Sequence, residues 1–231
     1  MSTPWKDDDE LFALARRELF SAVLGDIMDT MQLLHQFLPP NIQPLERGMS
    51  VVGRAMTVLE VDLDETGAPP NQTPALQKPF GLMLEALDSL AAHEIYVCAG
   101  ASPRYALWGE LMTTRAIRCG AAGAVLDGYS RDTRAVLELN FPVFALGSYA
   151  QDQAPRGKVG DFRIPIQIGD VRVTPGDIVC GDTDGVCIVP RQAEEEVFSR
   201  ALEKARKEKK AKTEIARGMT AREAFEKFGV L

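Results

Sequence analysis

Residues 108–132 read WGELMTTRAIRCGAAGAVLDGYSRD, and the order of elements inside this stretch decides the fold class. Apolar residues recur at helical spacing through ELMTTRAIRC, and Gly120 supplies a stop. AGAVL is then a short unbroken apolar run, the kind that fills a strand covered on both faces. The same handover is repeated on either side. EIYVCAG (94–100) precedes the stretch as a strand, DTRAVLELN (132–140) follows as a helix stopped at Asn140, and PVFALG (142–147) is a further strand. Strands and helices alternating at short intervals predict parallel pairing in a layered α/β core.

Working outward, the text from about Asp9 to Leu38 carries apolar residues at spacings of three and four and reads as one or two helices, with Gly25 as a break and PPN as the end. SVVGRAMTVLEV (50–61) alternates and is rich in β-branched residues, so it reads as a strand. ETGAPPNQTPALQKP (65–79) reads as a loop and FGLMLEALDSLAA as a helix. Further on, FRIPIQIGDVRVTPGDIVCGDTDGVCIVP (162–190) is a run of short strands punctuated by GD, PGD and DTDG, which predicts antiparallel or barrel-like β structure. From Arg191 the text is helical and highly charged. The expectation is one domain over 1–231, with 191–231 as a C-terminal helical extension packing on the domain or on a neighbouring subunit.

The chain has 231 residues, 45% hydrophobic and 26% charged, the balance of an ordinary globular protein. Its first residues, MSTPWKDDDE, are acidic where a secretory leader is basic and then apolar, and no apolar run is long enough to cross a bilayer, so a cytoplasmic location is expected. A formal net charge of −7 repels polyanions, so no nucleic-acid partner is expected. KARKEKKAK (204–212), interleaved with Glu203, Glu208 and Glu214, reads as a solvated helix face. Asp26 and Asp29 read as helix surface. Cys98, Cys119, Cys180 and Cys187 form no CxxC pair and have no zinc-like spacing to histidine, so they read as reduced, buried, structural thiols. His35 and His93 are isolated, which argues against phosphotransfer. The aspartates of PGDIVCGDTDG lack the spacing of a calcium loop and read as tight turns.

The chemistry-bearing candidates return to the opening stretch. A glycine and a helix start at Gly109 to Met112 offer free backbone N–H groups and the positive end of a helix dipole to an anion. Arg131 and Asp132 follow a core strand at its carboxyl end, where α/β sheets place ligands. Arginine presents a planar fork to a carboxylate or enolate, and aspartate a hard oxygen to a divalent cation. The residues alone leave a second reading open: Asp127-Gly128 as an ordinary turn, with Arg131 and Asp132 a surface ion pair and Asp132 a helix N-cap.

VVGRAMTV, WGELMTTRAIRCGAAGAVLDGYSRD, NFPVFALG and VTPGDIVCGDTDGVCIVP, in this order, resemble the family that contains the regulator of ribonuclease activity A and the class II 4-hydroxy-4-methyl-2-oxoglutarate aldolases. The likeness runs from about Phe20 to the C-terminus. It implies a layered α/β/β swivelling-domain fold with mixed sheets and a helical C-terminal tail, assembled as a homotrimer or homohexamer with sites at subunit boundaries. It also implies Mg²⁺ or Mn²⁺ and retro-aldol cleavage of a small 2-keto acid to release pyruvate, with oxaloacetate decarboxylation. Carried over by motif, Asp132 holds the metal directly or through water, and Arg131 binds the keto acid and stabilises its enolate. The backbone amides of Gly109, Glu110, Leu111 and Met112 receive its carboxylate, and Glu208 reaches an adjacent subunit's site. Cleavage beside a 2-keto group without a Schiff-base lysine needs such a metal and cationic donors. The family also implies an alternative, a non-catalytic regulator that binds an endoribonuclease; the complete GEL…RD constellation favours the enzyme. Two distinctive segments, Ala68–Pro79 and Tyr149–Arg163, are candidates for reshaping the entrance to the site, and Tyr105, Trp108, Tyr129 and Arg134 add aromatic and cationic groups near the motif.

Overall fold

The computed structural model describes residues 3–63 and 74–230. Helix α1 (Asp8–Glu18) starts where the Asp7 side chain accepts from the Glu10 N–H, and α2 (Ser21–Thr30) follows almost at once. Gly25 does not break this region. It lies inside α2, where a Cβ would come 2.4 Å from Phe37 Cε2, so its role is close approach and the break falls at Leu19–Phe20. Nor does the helix run to Leu38: Gln32 turns the chain at φ 62, and Phe37 leaves it to bridge Cys187.

The middle of the chain runs β1 (Gln43–Pro44), β2 (Val51–Asp62), α3 (Pro74–Gln77), α4 (Met83–Asp88), β3 (Glu94–Ala99), β4 (Ala106–Trp108), α5 (Glu110–Cys119), β5 (Gly123–Leu126), β6 (Tyr129–Ser130), α6 (Thr133–Glu138) and β7 (Val143–Ala145). Then come β8 (Gly157–Phe162), β9 (Ile166–Ile168), β10 (Val171–Val173), β11 (Ile178–Asp182), β12 (Gly185–Val189), α7 (Glu194–Ala216) and α8 (Ala221–Phe228). The main sheet has the order β1-β7-β5-β3-β2-β11-β12, with β8 also paired to β2. Its centre, β2, β3, β5 and β7, is parallel, as the strand–helix alternation predicts, while β8, β11 and β12 join antiparallel. This is the mixed, layered α/β architecture expected, closed by helices at the C-terminal end.

Three apolar layers hold it together. One face of the sheet packs Met56, Val58, Tyr96 and Leu126 against Trp108, Ala116, Val136 and Phe141 from the α5 and α6 side. The other face meets the β9–β10 hairpin through Ile166, Ile168, Val171 and Val173. A third cluster seats Phe12, Leu24, Met28 and Phe198 of α1, α2 and α7 on Val52, Ile178 and Val189. Burial of large aliphatic and aromatic side chains at about 25 cal/mol per Å² is the main stabilising term. The KARKEKKAK stretch is less free than a solvated face: Lys204 bonds Asp26, Arg206 bonds Glu18 at 2.8 Å, and Ala211 is buried. Asp26 is therefore helix surface, engaged by α7.

Several elements were not legible in the text. Of the segment read as a loop over 65–79, residues 65–73 lie outside the described residues and 74–77 form α3. The helix expected over 80–92 is confined to α4. β4 and β6 are too short to carry a period, and β8 emerges from the Tyr149–Arg163 segment. Among the cysteines, Cys98, Cys180 and Cys187 are buried and Cys119 is only half-buried; all are free. His93 pairs with Asp9 at 2.6 Å. Among the described residues, no helix is long and apolar enough to cross a membrane.

Candidate functional site

The parallel pair β4–β6 brings the two halves of the motif together, with Trp108 opposite Ser130 and the Arg131 N–H donating to the Trp108 carbonyl at 2.9 Å. Trp108 is the anchor of this junction. It is buried, stacks on Phe141 at 6.1 Å with an 8° interplanar angle, and donates from Nε1 to Thr113 Oγ1 at 2.7 Å. Thr113 Oγ1 in turn donates to the Gly109 carbonyl, so the first turn of α5 is tied to the strand that precedes it.

Gly109 stands at the N-cap of α5 in extended conformation and contributes no side-chain cap. Helix geometry leaves the N–H groups of Glu110, Leu111 and Met112 without intrahelical acceptors. One is met from the other half of the motif: Glu110 N–H points to Asp132 Oδ2 at 3.4 Å. Asp132 holds the N-cap position of α6 in the left-handed region, φ 53 and ψ 31, and its carboxylate does not cap its own helix. The local N-cap reading therefore fails in a specific way. The αL backbone aims the carboxylate across to α5 instead, a conformation that costs a non-glycine residue on the order of 1 kcal/mol. The absence of a side chain at Gly109 makes room, since a Cβ there would lie 2.7 Å from Asp132 Oδ2 and 3.4 Å from Arg131 Cγ.

Arg131 lies beside this carboxylate, Nε to Asp132 Oδ2 at 3.8 Å, and its Nη1 meets Asp152 Oδ1 at 3.0 Å. Both ion pairs are about half exposed, so their net stabilisation is roughly 1 kcal/mol or less. Their effect is geometric: the guanidinium is held over the open end of α5. Ser130 and Tyr149 close the floor through Tyr149 N–H to the Ser130 carbonyl at 2.9 Å, and Thr133 Oγ1 donates to Ser148 Oγ at 2.7 Å. Tyr129 and Tyr149 meet edge to face at 5.5 Å. Arg134 points away and pairs with Glu138, while the Tyr105 hydroxyl is used inside the fold, donating to Asp62.

Gly109, Glu110, Leu111, Met112, Arg131 and Asp132 thus form one cluster. Glu208 does not join it within the chain. It sits on α7, 3.6 Å from Lys204, along a groove of about 1090 Å³ lined by Arg17, Phe20, Lys209 and Ile215. Asp152 was missed by sequence reasoning; the only signal was its place in the distinctive Tyr149–Arg163 segment. Also missed was Glu60 at the end of β2, 2% exposed, whose Oε2 accepts from Gln153 Nε2 at 2.5 Å.

Among the described residues, no group of three or more His, Cys, Asp or Glu could by itself hold a metal. A lone carboxylate still fits one class of ion. Mg²⁺ keeps several waters and is bound by one or two carboxylates plus substrate oxygens. Asp132, with its side chain about half exposed and the missing Gly109 side chain beside it, fits that arrangement.

Residues 21–188 match the RraA-like family model, described as Aldolase/RraA. A Halalkalibacterium halodurans protein provisionally named 4-hydroxy-4-methyl-2-oxoglutarate aldolase is 32% identical over 168 residues, 72% of this chain and 72% of its own length. Protein DlpA of Legionella pneumophila is 28% identical over 209 residues, 90% of this chain; the chain spans only 32% of that relative's length. Among solved structures, Streptomyces coelicolor RraAS2, described as an unusual member of the RNase ES inhibitor RraA protein family, shares the fold with a TM-score of 0.77 at 23% identity, covering 91% of this chain and all of the other. The fold, the ordered motifs and a model match spanning most of its length agree, and the chain belongs to the Aldolase/RraA family.

Proposed function

We propose that the protein is a divalent-metal-dependent lyase that releases pyruvate from a small 2-keto acid, by retro-aldol cleavage of compounds like 4-hydroxy-4-methyl-2-oxoglutarate, by oxaloacetate decarboxylation, or both. The observation that carries this reading is the convergence of Asp132 Oδ2, the Arg131 guanidinium and the open N-terminus of α5 around the missing side chain of Gly109. The substrate carboxylate is received by the N–H groups of Leu111 and Met112, where the helix dipole favours negative charge. Arg131 donates to the keto oxygen and to the charge that develops on it when the carbon–carbon bond breaks. Asp132 holds the metal, directly or through water. Mg²⁺ or Mn²⁺, when bound there, supplies Lewis-acid polarisation of the keto oxygen.

Glu208 and the proton transfers belong to an assembled form. In a homotrimer or homohexamer, α7 of one subunit would bring Glu208 to the Arg131 cluster of the next, and Leu111, 84% exposed in the single chain, would be covered. The alternative, a protein-binding regulator of an endoribonuclease, uses none of the αL strain at Asp132 or the cleared space at Gly109. The test is pyruvate formation from oxaloacetate and from 4-hydroxy-4-methyl-2-oxoglutarate, read by coupling to lactate dehydrogenase, with Mg²⁺, with Mn²⁺ and with chelator. Metal-dependent release that disappears in Asp132→Asn supports the reading, and no release from either compound with either metal sinks it for these substrates.

A further inference from the structure

Three successive residues of the connection before β8 each hold a different part of the structure. The Gln151 carbonyl accepts from the Ala106 N–H at 2.8 Å, at the start of the strand that carries Trp108. The Asp152 carboxylate meets Arg131 at 3.0 Å. The Gln153 side chain, 8% exposed, turns inward and donates to Glu60 at 2.5 Å, while its carbonyl accepts from the N–H groups of Arg156 and Gly157. Glu60 is at a bulge in β2, where the pairing with β8 shifts register, and this sends its carboxyl into the core beneath the connection.

We propose that Glu60 is a positioning residue for the site: its buried carboxyl fixes Gln153, and through the adjoining Asp152 it sets the Arg131 guanidinium over the N-terminus of α5. The catalytic consequence rests on the lyase reading; the structural coupling does not.

A buried carboxylate needs a cation or several donors. Among the described residues Glu60 has one donor, the Gln153 amide, and no ion pair. The groups facing it are Asp62 on β2, Tyr96 and Cys98 on β3, and Tyr105 ahead of β4; each is disfavoured in its own ionised form by a charge on Glu60 or adds to its cost. The nearby cations are engaged elsewhere, Arg104 with Asp62 and Lys158 with the Leu76 carbonyl. Among the described residues the buried Tyr96 hydroxyl has no hydrogen-bond partner. Burial, opposed in part by the Gln153 bond and reinforced by Asp62, pushes the Glu60 carboxyl up to about 8. Ionisation would place an unpaired charge in the core, which is relieved by letting water in and Gln153 out.

The coupling can be read without any substrate. In the full-length protein, phenylglyoxal modification of Arg131 is followed by peptide mass mapping and expressed relative to Arg134, an exposed arginine that corrects for the reagent's own pH dependence. In the natural sequence the Arg131/Arg134 rate ratio should rise about fivefold between about pH 7 and pH 9 as the clamp loosens. In Glu60→Gln, which keeps the shape and the acceptor but cannot ionise, the ratio should stay low throughout; in Glu60→Leu it should be high at every pH. For oxaloacetate, KM should follow the same course with kcat moving less, and the Gln variant should restore what the Leu variant loses. The same ratio-against-pH course in the natural protein and Glu60→Gln would overturn the proposal, as would a Leu variant, folded by circular dichroism, with an unchanged ratio. If no oxaloacetate is turned over under any condition, the lyase reading fails while the modification ratio still decides the role of Glu60.

Discussion

Asp132 Oδ2 stands 2.7 Å from the point that a Cβ on Gly109 would occupy, so the two halves of the motif are matched by the absence of one side chain. Gly109→Ala should therefore push the Asp132 carboxylate aside without unfolding the protein, because the φ of Gly109, −166, suits alanine. Pyruvate release should fall by more than about tenfold, with stability changed by roughly 1 kcal/mol or less, since the displaced group is half exposed. Asp132→Asn is the cleaner partner experiment. Asparagine tolerates the αL backbone that alanine does not, so the carboxylate is lost with the turn intact. A Gly109→Ala protein with full activity would show that the cleared space has no bearing on the reaction.

How far the sequence foretold this geometry depends on length scale. The parallel centre of the sheet was legible because β3, α5, β5, α6 and β7 each fill their own period, and Gly120 stops α5 in the αL conformation that glycine serves. The motif residues were legible as candidates, yet their convergence depends on β4 and β6, strands of three and two residues with no pattern to read. Asp152 and Glu60 were hidden for another reason. Each acquires its role from a contact far along the chain, Glu60 with Gln153 and Asp152 with Arg131, and no local spacing encodes such a contact. Gly25 misled because glycine in a helix reads as a breaker, whereas here the Phe37 ring occupies the space of its side chain.

Arg54 is the tie between the terminal helices and the sheet. Its guanidinium bonds both Asp8 oxygens, at 2.8 and 2.5 Å, as well as Glu194 and the Gly176 carbonyl, and lies over the Phe12 ring at 5.8 Å. With only 19% of the side chain exposed, Arg54→Ala leaves two acids facing each other and should cost about 2–4 kcal/mol, measured by urea unfolding. Arg54→Lys should recover less than half, because a point charge cannot reproduce the fork. The Arg54 hydrogen bond and charge hold the Asp8 carboxyl below its ordinary value of 3.8, so this contribution is present at neutral pH and is lost as pH falls below about 4. An Arg54→Ala protein that unfolds at the same urea concentration as the natural one would remove this tie from the account.

Glu60 acts in the opposite direction. Its carboxyl is raised by burial from 4.5 to about 8, so the folded state binds the extra proton between these values and the unfolded state does not. The contribution of Glu60 to stability is full below about pH 4.5, declines steadily as pH rises, and levels off above about pH 8; the total loss from this one group is on the order of several kcal/mol. Glu60→Gln should flatten that decline. Urea unfolding midpoints at half-unit steps from about pH 5 to pH 9 give the slope directly, and parallel slopes in the two proteins would mean that Glu60 ionises in the fold without penalty.

Glu208 offers the sharpest test of assembly, because within one chain it lies along the α7 groove and apart from the Arg131 cluster. If each site takes Asp132 from one subunit and Glu208 from the next, Glu208→Gln and Asp132→Asn are each inactive for different reasons. Unfolded together in equal amounts and refolded, they should regain activity. In a cyclic trimer each site draws its two residues independently, so about a quarter of the sites would be intact. Mixing without unfolding should give less, at a rate set by subunit exchange. No recovery after refolding, with the mixed oligomers present by native mass spectrometry, would place Glu208 outside the reaction and leave its role to the Lys204 pair on the surface of α7.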